Sequence, residues 1–169
     1  MLTSVRAYIG LGSNLADPVQ QIAHALSALE SVPQSQLVAR SGLYRSAPLG
    51  PRDQPDYINA VVAIDTQLGA KALLHHLQNI EQRHGRVRDG ERWGPRTLDL
   101  DLILYGDEIS GDDELSLPHP RAHERAFVLI PLFEIAPEAK ITGKGRVVDL
   151  LNYCQNQHVE VVDSAALSR

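Results

Sequence analysis

The order of apolar and polar positions predicts a strand followed by a helix at the start of the chain. Val5 to Leu11 has the composition of an opening strand, which runs into a glycine-containing turn. Asp17-Pro18 then marks a helix start, because an acidic cap and a proline in the first turn are both favoured there. Apolar residues follow at helical spacing, at Val19, Ile22, Ala23, Leu26 and Leu29. We expect Pro33 to close this segment.

The middle of the chain predicts two further strands and a second helix. Leu37 to Arg45 and Tyr57 to Thr66 are rich in strand-forming residues. Between them lies a loop, 46–51, whose prolines and glycine restrict its shape. The second helix carries one apolar stripe, formed by Leu73, Leu74, Leu77 and Ile80. Gly85 is its expected cap.

The last third predicts a strand from Thr97 to Tyr105, a short hairpin from Glu108 to Leu117 and an apolar helix from Phe127 to Ile135. Strands and helices mix without regular βαβ alternation. The pattern therefore predicts an α+β fold with a mainly antiparallel sheet.

Composition is typical of a globular protein and restricts the classes to consider. The chain has 169 residues, of which 43% are hydrophobic and 22% are charged, and we expect one domain spanning 1–169. A single cysteine, Cys154, excludes an internal disulfide. We find no basic leader with an apolar stretch and no apolar run of ~18 residues, so we expect a cytoplasmic protein without membrane contact.

Charge points to a small anionic ligand rather than to nucleic acid. A net charge of −5 does not fit a basic nucleic-acid footprint. Within this acidic chain, five arginines nevertheless fall within fourteen residues, at Arg83, Arg86, Arg88, Arg92 and Arg96. Guanidinium groups match phosphate or carboxylate geometry, although a solvated surface loop explains the cluster about equally well.

Two aspartates form the strongest local signal. Side chains alternate along a strand, so Leu98, Leu100, Leu102 and Leu104 are expected on one face. Asp99 and Asp101 then share the other face, about 6.5–7 Å apart. Carboxylates together with phosphate oxygens are the usual ligands of Mg²⁺. The alternatives are exposure to solvent or pairing with the nearby arginines.

Further candidate residues lie on both sides of the aspartates. The arginine-rich segment holds the single tryptophan, Trp93, and a long loop of this kind is often a binding loop. His119 follows the predicted hairpin and is equally compatible with phosphate binding and a structural role. Tyr57 and Asn59 share one strand face and together could recognise a flat heterocycle. The turn at Gly10 and Gly12 fits neither a dinucleotide fingerprint nor a Walker phosphate loop.

Five segments carry a resemblance to a known family. They are AYIGLGSNL at 7–15, YRSAPLGP at 44–51, QPDYINA at 54–60, RWGPRTLDLD at 92–101 and PLFEIAP at 131–137. Together these resemble the 6-hydroxymethyl-7,8-dihydropterin pyrophosphokinases of folate biosynthesis, clearly over about 5–151. The resemblance implies a monomer with a ferredoxin-like βαββαβ core and helices on both faces. It implies transfer of the pyrophosphoryl group of MgATP to the pterin hydroxymethyl group, with release of AMP.

The same resemblance implies roles for particular residues. Asp99 and Asp101 hold two Mg²⁺ ions in such enzymes. The implied catalytic residues are these two and Arg86, Arg88, Arg96 and His119. The implied ATP contacts are Gln78, Glu81, Arg88, Trp93, Arg96, Leu102, Ser116, His119 and Arg125. The implied pterin contacts are Gly12, Ser46, Leu49, Tyr57, Asn59, Trp93 and Phe127.

Two positions depart from the family pattern. Ala47 stands where a second proline is frequent, and Pro120 stands where an aromatic residue can follow the histidine. Two rival functions predict different outcomes. A nucleotide kinase acting through a phosphorylated His119 would release ADP, whereas a small-molecule-sensing or RNA-binding module on the same fold would bind without turnover.

Overall fold

The computed structural model describes residues 3–14, 17–47, 55–84 and 98–162, and in these ranges it contains ten strands and four α-helices. In chain order they are β1 (Val5–Ser13), α1 (Pro18–Glu30), β2 (Ser35–Arg40), β3 (Tyr44–Ser46), β4 (Tyr57–Thr66), α2 (Ala70–Arg83), β5 (Asp99–Tyr105), β6 (Ser110–Gly111), β7 (Ser116–Leu117), α3 (Ala126–Ile135), β8 (Lys140–Ile141), β9 (Gly145–Arg146), α4 (Val147–Leu150) and β10 (Val159–Val161). Short 3₁₀ turns lie at Ala122–Glu124 and Leu151–Tyr153.

The main sheet has the predicted antiparallel topology. Its order is β10-β3-β4-β1-β5, and β2 also pairs with β4. The first five strands and two helices therefore follow the βαββαβ order, with β2 and β3 together in the place of the second strand. The α+β prediction is confirmed.

The predicted strand from Leu37 to Arg45 is wrong in one respect, because it is broken into β2 and β3. Ser41 Oγ accepts the N–H of Val61 at 2.9 Å, and Gly42 donates its N–H to the Glu134 carboxylate at 3.1 Å. These contacts take the N–H of Val61 and the N–H of Gly42 out of backbone strand pairing, whereas the N–H of Ser41 still donates to the carbonyl of Val61 at 2.9 Å. The break follows from a contact with α3, which lies far along the chain.

The first helix begins where the sequence predicts it. Pro18 opens α1, and the Asp17 carboxylate accepts the N–H of Gln20 at 3.3 Å, which satisfies one of the unpaired donors at a helix start. The second helix ends at Arg83 with His84 as its cap, and the predicted cap Gly85 lies outside the described residues. The helix α3 and the hairpin β6–β7 are confirmed.

The sheet carries a hydrophobic core on each face. The first core packs α1 and α2 against the sheet, with fully buried members that include Ile9, Ile22, Leu29, Ile64, Leu73 and Leu77. The second packs α3 and α4 against the other face and includes Val61, Ile103, Leu129, Leu132 and Val147. Since β4 supplies side chains to both cores, its sequence is almost continuously apolar. Helices on both faces are confirmed.

A bulge in β5 changes one predicted orientation. Ile9 pairs with Leu102 and Tyr8 pairs with Leu104, so Ile103 is an additional residue between two ladder positions. Leu98, Leu100 and Leu102 lie in the first core as expected, but Leu104 joins the second core, and the prediction for Leu104 is wrong. Gly10 makes room for the bulge, because a Cβ there would lie 3.1 Å from Ile103 Cδ1.

The β6–β7 hairpin is attached to α2 and leads to His119. Lys71 Nζ lies 2.8 Å from Asp112 Oδ2, and His75 pairs with Glu114. After the hairpin, the N–H of His119 donates to the carbonyl of Ile103 at 2.9 Å, which holds this residue beside β5. No helix of the described part of the chain is long and apolar enough to cross a membrane.

Candidate active site

A cavity of about 290 Å³ lies over the second face of the sheet, between β1, β4, β5 and the start of α3. Its lining combines two kinds of chemistry. Aromatic and amide groups come from Tyr57, Asn59 and Phe127, whereas ionisable groups come from Asp99, Asp101, His119 and Arg125. An apolar cleft with a few convergent polar groups is the usual form of a small-molecule site.

The two glycines of β1 keep space open next to the aspartates. Gly12 pairs directly with Asp99, and Gly10 pairs with Asp101. Residues opposite each other in an antiparallel pair share a sheet face, so each carboxylate has a neighbour without a side chain. All four residues line the cavity. The prediction that the two aspartates share a face is confirmed, with Asp99 half-buried and Asp101 exposed.

Asn59 has a fixed orientation at the cavity floor. Its Nδ2 donates to Ser46 Oγ at 2.7 Å, and both side chains are buried. The amide oxygen therefore lies on the side of Gly12, where a Cβ would be 3.4 Å from Asn59 Oδ1. A buried amide held in one orientation presents a defined polar edge to a ligand.

His119 is held as a neutral imidazole. Its Nδ1 accepts the N–H of Arg121 at 3.2 Å, so the ring proton is on Nε2. Burial lowers the pKa of His119, Arg125 and Arg121 lower it as well, and Asp101 opposes the shift. With Nδ1 occupied as an acceptor, the ring presents Nε2–H as its hydrogen-bond donor.

Arg125 joins the ionisable and the aromatic parts of the cavity. Its guanidinium carbon lies 5.6 Å from the centre of the Phe127 ring, within the range of a cation–π contact. Because Arg125 precedes the first residue of α3, the helix start carries both side chains to the cavity.

Not all of the predicted site residues meet at this cavity. Those that line it are Gly12, Ser46, Tyr57, Asn59, Asp99, Asp101, His119, Arg125 and Phe127. Four others lie elsewhere. Gln78 and Ser116 are exposed on α2 and β7, Leu102 is buried in the first core, and Glu81 is buried with its carboxylate bound to the backbone of β5. The predicted residues Leu49, Arg86, Arg88, Trp93 and Arg96 lie outside the described residues.

Gly10, Ile103 and Val128 line the cavity although no role was predicted for them. A signal existed for Gly10, because two glycines spaced by two in a strand leave one face bare. For Ile103 the alternation along β5 was itself a signal, because positions 99, 101 and 103 fall on the same face of a strand. Val128 follows Phe127 in an apolar helix whose sequence does not distinguish core from cavity.

Comparison with known proteins identifies similar sequences over most of the chain. The model of the family described as 7,8-dihydro-6-hydroxymethylpterin-pyrophosphokinase matches residues 8–137. The 2-amino-4-hydroxy-6-hydroxymethyldihydropteridine pyrophosphokinase of Haemophilus influenzae is 49% identical over 147 residues, which cover 87% of this chain and 91% of that protein. The protein of the same name from Pseudomonas aeruginosa is 48% identical over 160 residues, covering 95% of this chain and 98% of that one.

Solved structures provide a separate comparison of the fold. The chain superposes on the wild-type HPPK-DHPS of Plasmodium falciparum with STZ-DHP with a TM-score of 0.71 and 14% sequence identity. The match covers 88% of this chain and 43% of that chain. At this identity the likeness concerns the fold alone.

Proposed function

The chain belongs to the 7,8-dihydro-6-hydroxymethylpterin-pyrophosphokinase family, and on that premise we propose that its cavity carries out the family's reaction. The pyrophosphoryl group of ATP moves to 6-hydroxymethyl-7,8-dihydropterin, giving the pterin pyrophosphate and AMP for folate biosynthesis. One observation carries the assignment to this cavity: a pair of aspartates, a histidine and an arginine adjoin an aromatic and amide surface. Groups suited to phosphate and groups suited to a flat heterocycle therefore lie next to each other.

The aromatic part of the cavity suits the pterin. Tyr57 and Phe127 offer faces for stacking on a flat ring, and the oriented amide of Asn59 offers hydrogen bonds to its edge. Ser46 accepts a hydrogen bond from that amide, and Gly12 has no side chain that would fill the neighbouring part of the cavity. Leu49 and Trp93 complete this half in our proposal.

The aspartate pair suits Mg²⁺. Asp99 and Asp101 present hard oxygen donors to one cavity, beside two glycines that leave room for further ligands. Two carboxylates would supply only part of the oxygen ligands that Mg²⁺ needs, and phosphate oxygens and water would supply the rest. We assign two ions to this pair. When bound, Mg²⁺ offsets the charge of the triphosphate and orients its oxygens.

Cationic and neutral donors of the chain complete the phosphate site. His119 donates from Nε2 to a phosphate oxygen, and Arg125 adds a fixed positive charge next to it. Arg86, Arg88 and Arg96 provide further guanidinium groups in our proposal. Such a reaction needs positioning and charge stabilisation more than covalent help from the protein, and these groups provide both.

The nucleoside half of ATP requires residues beyond the cavity. Gln78, Leu102 and Ser116 remain our predicted contacts for this half, together with Trp93. We further propose that the enzyme acts in the cytoplasm as a monomer.

The test is a product assay with purified protein, MgATP and 6-hydroxymethyl-7,8-dihydropterin. We expect AMP to form only when the pterin is present, one for each pterin pyrophosphate. ADP as the product would support a kinase acting through a phosphorylated His119 instead. Binding of the pterin without turnover would support a sensing module.

A further inference from the structure

Glu81 is a buried carboxylate that contacts the backbone between the two aspartates. Its side chain belongs to α2 and the residue is only 6% exposed. Glu81 Oε2 accepts the N–H of Leu100 at 2.8 Å, and Leu100 lies between Asp99 and Asp101. This bond therefore ties α2 to the middle of the aspartate segment.

The position of β5 in the sheet explains why this N–H is available. In an antiparallel ladder, successive residues turn their backbone groups to opposite sides. Since the N–H of Leu100 goes to Glu81, it points away from β1, the neighbour of β5 in the main sheet. In the described part of the chain, β5 is the terminal strand of that sheet. Glu81 thus supports the edge of β5 that faces away from β1.

Burying a carboxyl group at this position costs folding free energy, and packing alone does not explain it. Glu81 follows Leu77 by four residues, so it lies on the apolar face of α2 that Leu73, Leu77 and Ile80 bury. A leucine would fill such a position without the cost of removing a carboxyl group from water. The site nevertheless holds a carboxylate, and that carboxylate is bound to the backbone flanked by both aspartates.

We infer that Glu81 is a positioning residue for the divalent metal. By fixing the peptide at Leu100 relative to α2, it fixes the directions in which Asp99 and Asp101 present their oxygens. The inference rests on the proposed function and replaces a direct contact of Glu81 with ATP by an action through β5. Residues that orient metal ligands typically change metal affinity about 10–100-fold when they are replaced.

Two conservative variants separate the hydrogen bond from the charge. Glu81→Gln keeps an oxygen at the same reach and removes the charge, whereas Glu81→Asp keeps the charge and shortens the side chain by one methylene. The matched control is Leu77→Ala, which destabilises the same helix at a fully buried position that lies outside the site. Thermal unfolding of all three verifies that each is folded during the binding measurements.

The main measurement is Mn²⁺ binding by electron paramagnetic resonance, in the presence of ATP with a methylene group between the α- and β-phosphorus atoms. We expect Glu81→Asp to weaken Mn²⁺ binding about tenfold, and Glu81→Gln and Leu77→Ala to stay within about threefold of the wild type. Binding of the same nucleotide without metal, and of the pterin alone, should change less than about twofold in Glu81→Asp.

Three outcomes would overturn the inference. Wild-type Mn²⁺ affinity in Glu81→Asp would show that the bond to Leu100 does not position the aspartates. An equal loss of Mn²⁺ affinity in Glu81→Gln would show that the charge of Glu81, and not its hydrogen bond to Leu100, determines metal binding. An equal loss of metal-free nucleotide binding would make Glu81 a direct contact. Failure of the wild type to form AMP with the pterin would reject the proposed function separately, because the Mn²⁺ titration does not depend on turnover.

Discussion

Replacing Ser46 by alanine tests whether the fixed amide of Asn59 is part of the pterin site. The two side chains are 6% and 4% exposed and are joined by a 2.7 Å hydrogen bond. Ser46→Ala leaves the buried Nδ2 without that acceptor, which costs about 1–3 kcal/mol of unfolding free energy. For a chain of this size, about 2–4 °C of Tm corresponds to each kcal/mol, so we expect Tm to fall by about 2–12 °C.

Ligand binding should change as well, because the amide loses the contact that orients it. If the loss of this orientation costs about 1–2 kcal/mol of binding free energy, affinity for 6-hydroxymethyl-7,8-dihydropterin falls about 5–30-fold. Isothermal titration calorimetry with the pterin measures this directly, and thermal unfolding measures the loss of stability. Both use the same purified variant.

Ser41→Ala is the matched control. Ser41 is also a buried serine, and its Oγ accepts the N–H of Val61 at 2.9 Å, but it does not line the cavity. We expect a similar loss of stability with pterin affinity unchanged. Wild-type pterin affinity in Ser46→Ala, or an equal loss of affinity in Ser41→Ala, would exclude a role for the oriented Asn59 amide in pterin binding.

Three further predictions concern the aspartate pair, an alkaline titration and the arginine-rich segment. Asp101→Asn removes an anionic metal ligand, so pyrophosphoryl transfer should slow about a hundredfold, which corresponds to about 3 kcal/mol of activation free energy. In steady-state assays the variant should also require more Mg²⁺. Full activity would contradict the metal assignment. Burial and the hydrogen bond to Glu134 raise the pKa of Tyr44 to about 12, so the folded state keeps a proton that the unfolded chain loses above about pH 10. The free energy of unfolding should therefore fall more steeply between pH 10 and 12 in the wild type than in Tyr44→Phe, and urea unfolding measures it. Parallel curves of unfolding free energy against pH would exclude Tyr44 as the titrating group. Arg88→Ala should lower kcat more than it weakens pterin binding, and an unchanged kcat would exclude a catalytic role.

Local patterns were sufficient to predict much of the fold. The Asp17-Pro18 pair marks the start of α1, because the capping interaction involves only residues within one turn. The alternation around Asp99 and Asp101 predicts their common face for the same reason. The grouping of these carboxylates with aromatic residues of β4 and α3 came from resemblance rather than from spacing.

Features that depend on distant contacts were not predictable in this way. The break between β2 and β3 involves Glu134, which is 92 residues from Gly42 in the chain. The bulge at Ile103 arises from its pairing with β1, and it alone moves Leu104 to the second core. Glu81 is different, since its position four residues after Leu77 places it on the buried stripe of α2, but only an ATP contact was predicted for it and its bond to the backbone of β5 was not.

In the proposed reaction, one cavity transfers the pyrophosphoryl group intact. ATP labelled distinguishably at the α-, β- and γ-phosphorus atoms, incubated with Mg²⁺, the pterin and the protein, tests it most directly. We expect the β and γ labels to appear together, in equal amounts, on the pterin product and the α label to be recovered in AMP. Transfer of the γ label alone, with α and β retained in ADP, would contradict it.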